Sequence, residues 1–115
     1  MDRYRLLIVD DDREVRESLR SVLEDEGFTV AVAANGAEAI AKMDERPPRV
    51  VLLDMMMPIV DGWEVLDHLR DDPSLAGVRV CVCSAADIRA PRADCVLRKP
   101  FGLDAVVDVV AELAC

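Results

Sequence analysis

The run Val50-Val51-Leu52-Leu53-Asp54-Met55-Met56-Met57-Pro58 decides the fold. Four apolar residues in succession, two of them β-branched, make a strand that is apolar on both faces, as strands of helix-covered parallel sheets are. The run stops at a single carboxylate, Asp54, and the turn signal Asp61-Gly62 follows after a short loop. In an open parallel sheet, ligands and chemistry collect beyond the carboxyl ends of the strands. Asp54 therefore holds the place of a reactive group, and the strand before it is its scaffold.

Upstream, Leu6-Leu7-Ile8-Val9 is a similar run, closed by Asp10-Asp11-Asp12. Asp12 is placed to cap a helix whose apolar stripe is Val15, Leu19, Val22 and Leu23, and Gly27 ends that helix. Residues 28–33 read as a strand and Asn35-Gly36 as a turn. Ala37, Ile40, Ala41 and Met43 then give a second helix its inward face, and Pro47 and Pro48 stop it. Downstream, Trp63, Val65, Leu66 and Leu69 form the apolar side of a third helix that ends at Asp72-Pro73. Residues 78–83 are a fourth strand running into Ser84-Ala85-Ala86, and Cys95-Val96-Leu97 is a fifth running into Lys99-Pro100. Leu103, Val106, Val107, Val110 and Leu113 recur at helical spacing to the end. This alternation, with no linker or repeat, predicts one domain over residues 1–115: an α/β, doubly wound, parallel five-stranded sheet with helices on both faces.

One interval breaks the rhythm. The nine residues 86–94 separate Ser84-Ala85 from the fifth strand, and Pro91 lies among them. A parallel crossover normally takes a dozen or more residues with a full helix. At most one helical turn fits before Pro91, so the fourth helix is expected to be shortened or missing.

Composition sets outer bounds. The chain has 115 residues, 52% of them hydrophobic and 32% charged, enough for a single core and against disorder. Its formal net charge of -9 argues against nucleic-acid binding, and only Tyr4, Phe28, Trp63 and Phe101 are aromatic, too few for a base-stacking platform. No apolar run reaches membrane-spanning length, and no signal peptide opens the chain. Cys81, Cys83, Cys95 and Cys115 lack zinc-ligand spacing and read as buried thiols of a reducing cytoplasm. His68 has no ligand-spaced partner and is expected to be exposed, and Met55-Met56-Met57 reads as packing and loop fit.

The residues at strand carboxyl ends form one set: Asp10 and Asp11, Asp54, Ser84 and Lys99. Converging carboxylates repel unless a cation lies among them, and hard oxygen donors suit Mg²⁺. A lysine and a hydroxyl can hold phosphoryl oxygens, and an aspartate can act as the covalent acceptor. With Val9-Asp10-Asp11-Asp12, Asp54 followed by Met57-Pro58 and Asp61-Gly62, Ser84-Ala85 and Lys99-Pro100-Phe101, the chain resembles the receiver domains of two-component response regulators, the CheY-like family. The resemblance implies a flavodoxin-like (βα)₅ fold and phosphorylation of Asp54 by the phosphohistidine of a sensor histidine kinase or histidine phosphotransfer domain. It also implies Mg²⁺ bound by Asp11, Asp54 and the Met56 backbone carbonyl, with Asp10 acting through water. Ser84 and Lys99 would contact the phosphoryl group, and the Lys99-Pro100 bond would be cis. The positions that tune the lifetime of the phosphorylated state are Met56 and Ala86, neither of which carries a side-chain base.

The chain departs from that pattern twice. Val96 stands where the family carries an aromatic switch residue, and the short 86–94 interval removes most of the helix that usually serves signalling and dimerisation. Dimerisation through that face is therefore not expected, and output is expected as ordering of residues 85–94 or as altered partner binding. A phosphorylation-independent binding module is the alternative. A small phosphatase is disfavoured because no second acid directly follows Asp54 to protonate a leaving group.

Overall fold

Each apolar run becomes a strand. The computed structural model describes residues 5–57 and 59–115, so Tyr4 and Pro58 lie outside the described residues. The elements are β1 (Arg5–Val9), α1 (Arg13–Asp25), β2 (Thr29–Ala33), α2 (Gly36–Glu45), β3 (Val50–Asp54), α3 (Gly62–Asp71), a 3₁₀ turn (Pro73–Leu75), β4 (Arg79–Ser84), β5 (Cys95–Arg98) and α4 (Leu103–Ala114). The strands form one parallel sheet in the order β2-β1-β3-β4-β5. The register sets Leu53 opposite Val9 and Val82, and Asp54 opposite Cys83.

Alternation along the strands divides the core between two faces. Leu7, Val9, Val51, Leu53, Val80 and Val82 pack with Met43 of α2 and Val65, Leu66 and Leu69 of α3. Leu6, Ile8, Val50, Leu52 and Cys81 pack with Leu19 and Leu23 of α1 and Val106 and Val110 of α4. The side-chain oxygen of Asp12 caps α1 by accepting from the Glu14 and Val15 amides at 2.9 and 3.3 Å, and Gly27 follows its end at φ 96°.

Several surface assignments need correction. Ala37 and Ala41 are exposed; Met43 is buried and Ile40 packs against the core as expected, and Gly36 and Ala39 complete the inward face of α2. Trp63 is 40% exposed and Leu103 42%: both lie in the first turn of their helices, and α3 turns Gly62, Val65, Leu66 and Leu69 inward while α4 turns Val106, Val110 and Ala114 inward. Cys115 is exposed, although Cys81 and Cys83 are buried as expected. His68 is partly buried and has a partner, Asp44 of α2, at 2.8 Å.

No helix forms between β4 and β5. The connection packs Ile88, Ala90 and Ala93 onto the α2/α3 face of the core. Arg70 of α3 clamps it, donating to the Arg92 carbonyl at 2.7 Å, the Val78 carbonyl at 2.9 Å and Asp94 at 3.0 Å. Asp94 in turn accepts the Val80 amide at 2.7 Å and bonds Arg79 at 3.3 Å. At the amino end of the sheet, the Arg49 amide donates to the Arg5 carbonyl and its guanidinium to the Cys115 carbonyl, each at 2.9 Å.

Candidate functional site

β1 and β3 are neighbours, so their carboxyl ends bring Asp10 and Asp54 together as nearly sealed carboxylates, 4% and 5% exposed. Asp11 is exposed at the rim. Carboxylate oxygens of Asp10, Asp11 and Asp54 all lie within 4.8 Å of one another. Local bonds hold two of these side chains in place. The Asp12 amide donates to Asp10 Oδ1 at 2.9 Å, and the Met56 amide donates to Asp54 Oδ1 at 3.1 Å.

Lys99 follows β5 and reaches across the end of β4 into the cluster. Its Nζ lies 3.3 Å from Asp10 Oδ2 and 3.7 Å from Asp54 Oδ1. The Lys99-Pro100 bond is cis, as expected, and the Lys99 amide donates to the Ser84 carbonyl at 2.8 Å. Ser84 is buried as the last residue of β4. Its hydroxyl oxygen accepts the Ala86 amide at 3.1 Å, which leaves its own proton free to donate elsewhere.

Three acids and one lysine leave the cluster short of positive charge. Burial is the main force raising the Asp54 carboxyl above its ordinary value. The Met56 amide and Lys99 oppose that rise, while Asp10 and Asp11 add to it. Burial alone would pull Lys99 down, but Asp10 and Asp54 outweigh it and hold the ammonium above its ordinary value. Such a set of hard, crowded oxygens fits Mg²⁺.

The sheet-end geometry has counterparts across known proteins. The model for "Response regulator receiver domain" matches residues 6–111. The chain belongs to the response regulator receiver family. This receiver domain is 38% identical over 116 residues to response regulator Rre1 of Synechocystis, covering 94% of the chain and 50% of that protein. It is 41% identical over 107 residues to response regulator MprA of Mycobacterium sp. (strain KMS), covering 87% of the chain and 46% of that protein. The chain thus spans about half the length of the curated relatives it matches. Among solved structures, the Francisella response regulator 1452 receiver domain superposes with a TM-score of 0.87 at 28% identity, over 96% of this chain and 95% of that one. A CheY-like receiver domain protein of Methanospirillum hungatei gives 0.85, also at 28% identity, over 96% and 93%. The fold is the flavodoxin-like one expected, with four helices. Receiver domains are phosphoacceptors of two-component systems, interact with sensor histidine kinases and generally bind Mg²⁺ at their acidic pocket.

Two features of the receiver domain's mouth had no clear sequence signal. An apolar groove of about 530 Å³ opens beside Lys99 between Val15 and Leu19 of α1 and Pro100, Phe101 and Leu103. On the β3–α3 loop, Ile59 holds a φ of 73° while 81% exposed. A glycine or asparagine at position 59 would have signalled such a backbone; an isoleucine does not. Among the described residues, no helix is long and apolar enough to cross a membrane.

Proposed function

We propose that Asp54 is the phosphoacceptor and that its donor is the phosphohistidine of a sensor histidine kinase or histidine phosphotransfer domain. The observation that carries this reading is the placement of Asp54 at the floor of the pocket, clustered with Asp10 and Asp11 and 3.7 Å from Lys99. An Asp54 carboxylate oxygen attacks phosphorus; the new O–P bond forms as the P–N bond breaks, and the electron pair leaves with the ring nitrogen. With its second nitrogen protonated, the imidazole departs neutral and Asp54 becomes an acyl phosphate.

Asp11, Asp54 and the Met56 carbonyl would hold Mg²⁺, with Asp10 acting through water; the ion supplies positive charge against the developing phosphoryl oxygens. Lys99 and the Ser84 hydroxyl hold those oxygens after transfer. Met56 and Ala86, both exposed, offer no side-chain base to activate water, so hydrolysis of the acyl phosphate is slow.

Incubation with acetyl phosphate and Mg²⁺ should add one phosphoryl mass to the intact protein and none to Asp54→Asn. Full labelling of that variant at another residue would refute the assignment.

A further inference from the structure

We propose that the amino pole of the sheet carries a binding site for a small, multiply charged oxyanion, held by Arg49 and Arg79. The site is separate from the acceptor pocket: Arg79 opens β4 and Ser84 ends it, which sets the two roughly 17 Å apart.

A cavity of about 530 Å³ lies where β3 and β4 begin, and residues 91–94 of the helix-free connection form one wall of it. Strand register gathers its arginines. The Arg79 amide donates to the Arg49 carbonyl at 2.9 Å, so the two residues stand at neighbouring strand starts. Arg70 comes from the last turn of α3 and Arg92 from the connection. Asp94 is the one acid on the lining. The chain has a net charge of -9, yet this lining carries an excess of three positive charges.

Two of the four arginines are spent on the fold. Arg70 uses all three of its nitrogens on the Arg92 and Val78 carbonyls and on Asp94. Arg92 pairs with Asp67 and Asp71 of α3 at 3.0 and 2.7 Å. The other two keep donors in hand. Among the described residues, the Arg79 guanidinium bonds only Asp94, at 3.3 Å, and the Arg49 guanidinium only the Cys115 carbonyl. The buried side-chain donors without an acceptor among the described residues are Arg5 Nε and Arg49 Nε, and both belong to this pole. A guanidinium with an unmatched buried donor gains by turning its head onto an acceptor.

The ligand class follows from charge and room. The planar fork of a guanidinium matches carboxylate and phosphate oxygens, and the surplus of charge favours a ligand that carries more than one negative group. The cavity is larger than a bare anion and within the range of small-molecule pockets, and a Cβ at Gly77 on its wall would meet nothing within 4 Å. A di- or triphosphate or a polycarboxylate meets these requirements.

The test titrates pyrophosphate and, separately, citrate into the metal-free protein at constant ionic strength, by calorimetry and by amide NMR shifts. At least one should bind at millimolar concentration or below, shift residues 76–79 and 92–94, and weaken as salt rises. The tighter of the two assigns phosphoryl or carboxylate groups to the ligand. Arg79→Gln and Arg49→Met should each weaken binding about tenfold or more. Without anion, Arg49→Met should melt at or above the wild-type temperature, because it removes the unmatched donor together with the charge. Unchanged affinity in both variants overturns the inference, as do shifts confined to residues 54–57 and 84–86 or an absence of binding by either anion at millimolar concentration.

Discussion

Asp54 is destabilised by the surroundings that suit it to chemistry. Its carboxyl is held above the ordinary value of 3.8, first by burial and then by Asp10 and Asp11. A carboxyl raised in the folded state binds protons more tightly there than in the unfolded chain. Its ionisation therefore costs stability as pH rises through the raised value, and that cost is absent below 3.8. In metal-free buffer at pH 7, Asp54→Asn should raise Tm by a few degrees, and the advantage over wild type should shrink toward zero as pH falls to that value. Thermal unfolding of both proteins across pH checks it; a destabilised Asn variant at pH 7 would contradict it. The acidic set and Lys99 were legible in sequence because each follows an apolar run, and parallel strands bring such ends together. The Asp44–His68 pair and the backbone at Ile59 were not, because tertiary packing creates the first and isoleucine has no propensity for the second.

The missing crossover helix was legible from a length and a proline. Its replacement was not, because Arg70 lies 24 residues from Asp94 and nothing local marks the pair. Residues 90–94 are already fixed by that clamp and by the burial of Ala90, while residues 85, 86, 87 and 89 are exposed. The expected ordering of the connection on phosphorylation therefore belongs to its first half, next to Ser84. Hydrogen exchange with beryllofluoride and Mg²⁺ should show new protection in residues 85–89 and little change in 90–94. Asp94→Ala should abolish the difference between the halves, and the Val80 amide left without its acceptor should cost about 1–3 kcal/mol in denaturant unfolding. Protection gained evenly across 85–94 in the wild type would contradict the division.

As a whole, the molecule combines an intact acidic pocket with an altered flank. β5 is an edge strand, Val96 on it is 41% exposed, and no helix stands between it and β4. A dimer built on the family's usual crossover helix is therefore not expected. Light scattering should give the same molar mass with and without beryllofluoride and Mg²⁺, and a doubled mass would refute this. Arg49 carries a different consequence. It bonds Arg5 at the start of the sheet and Cys115 after the last helix, so both ends of the described chain meet at one residue on the pole away from Asp54. Any polypeptide joined to either end is tethered there, the full height of the sheet from the phosphoryl group, which for five-residue strands is roughly 17 Å. With both ends of the described chain at that pole, a circular permutant that joins them through a peptide linker and opens in the exposed strip at residues 85–87 should keep the sheet while carrying a tethered neighbour to the catalytic pole.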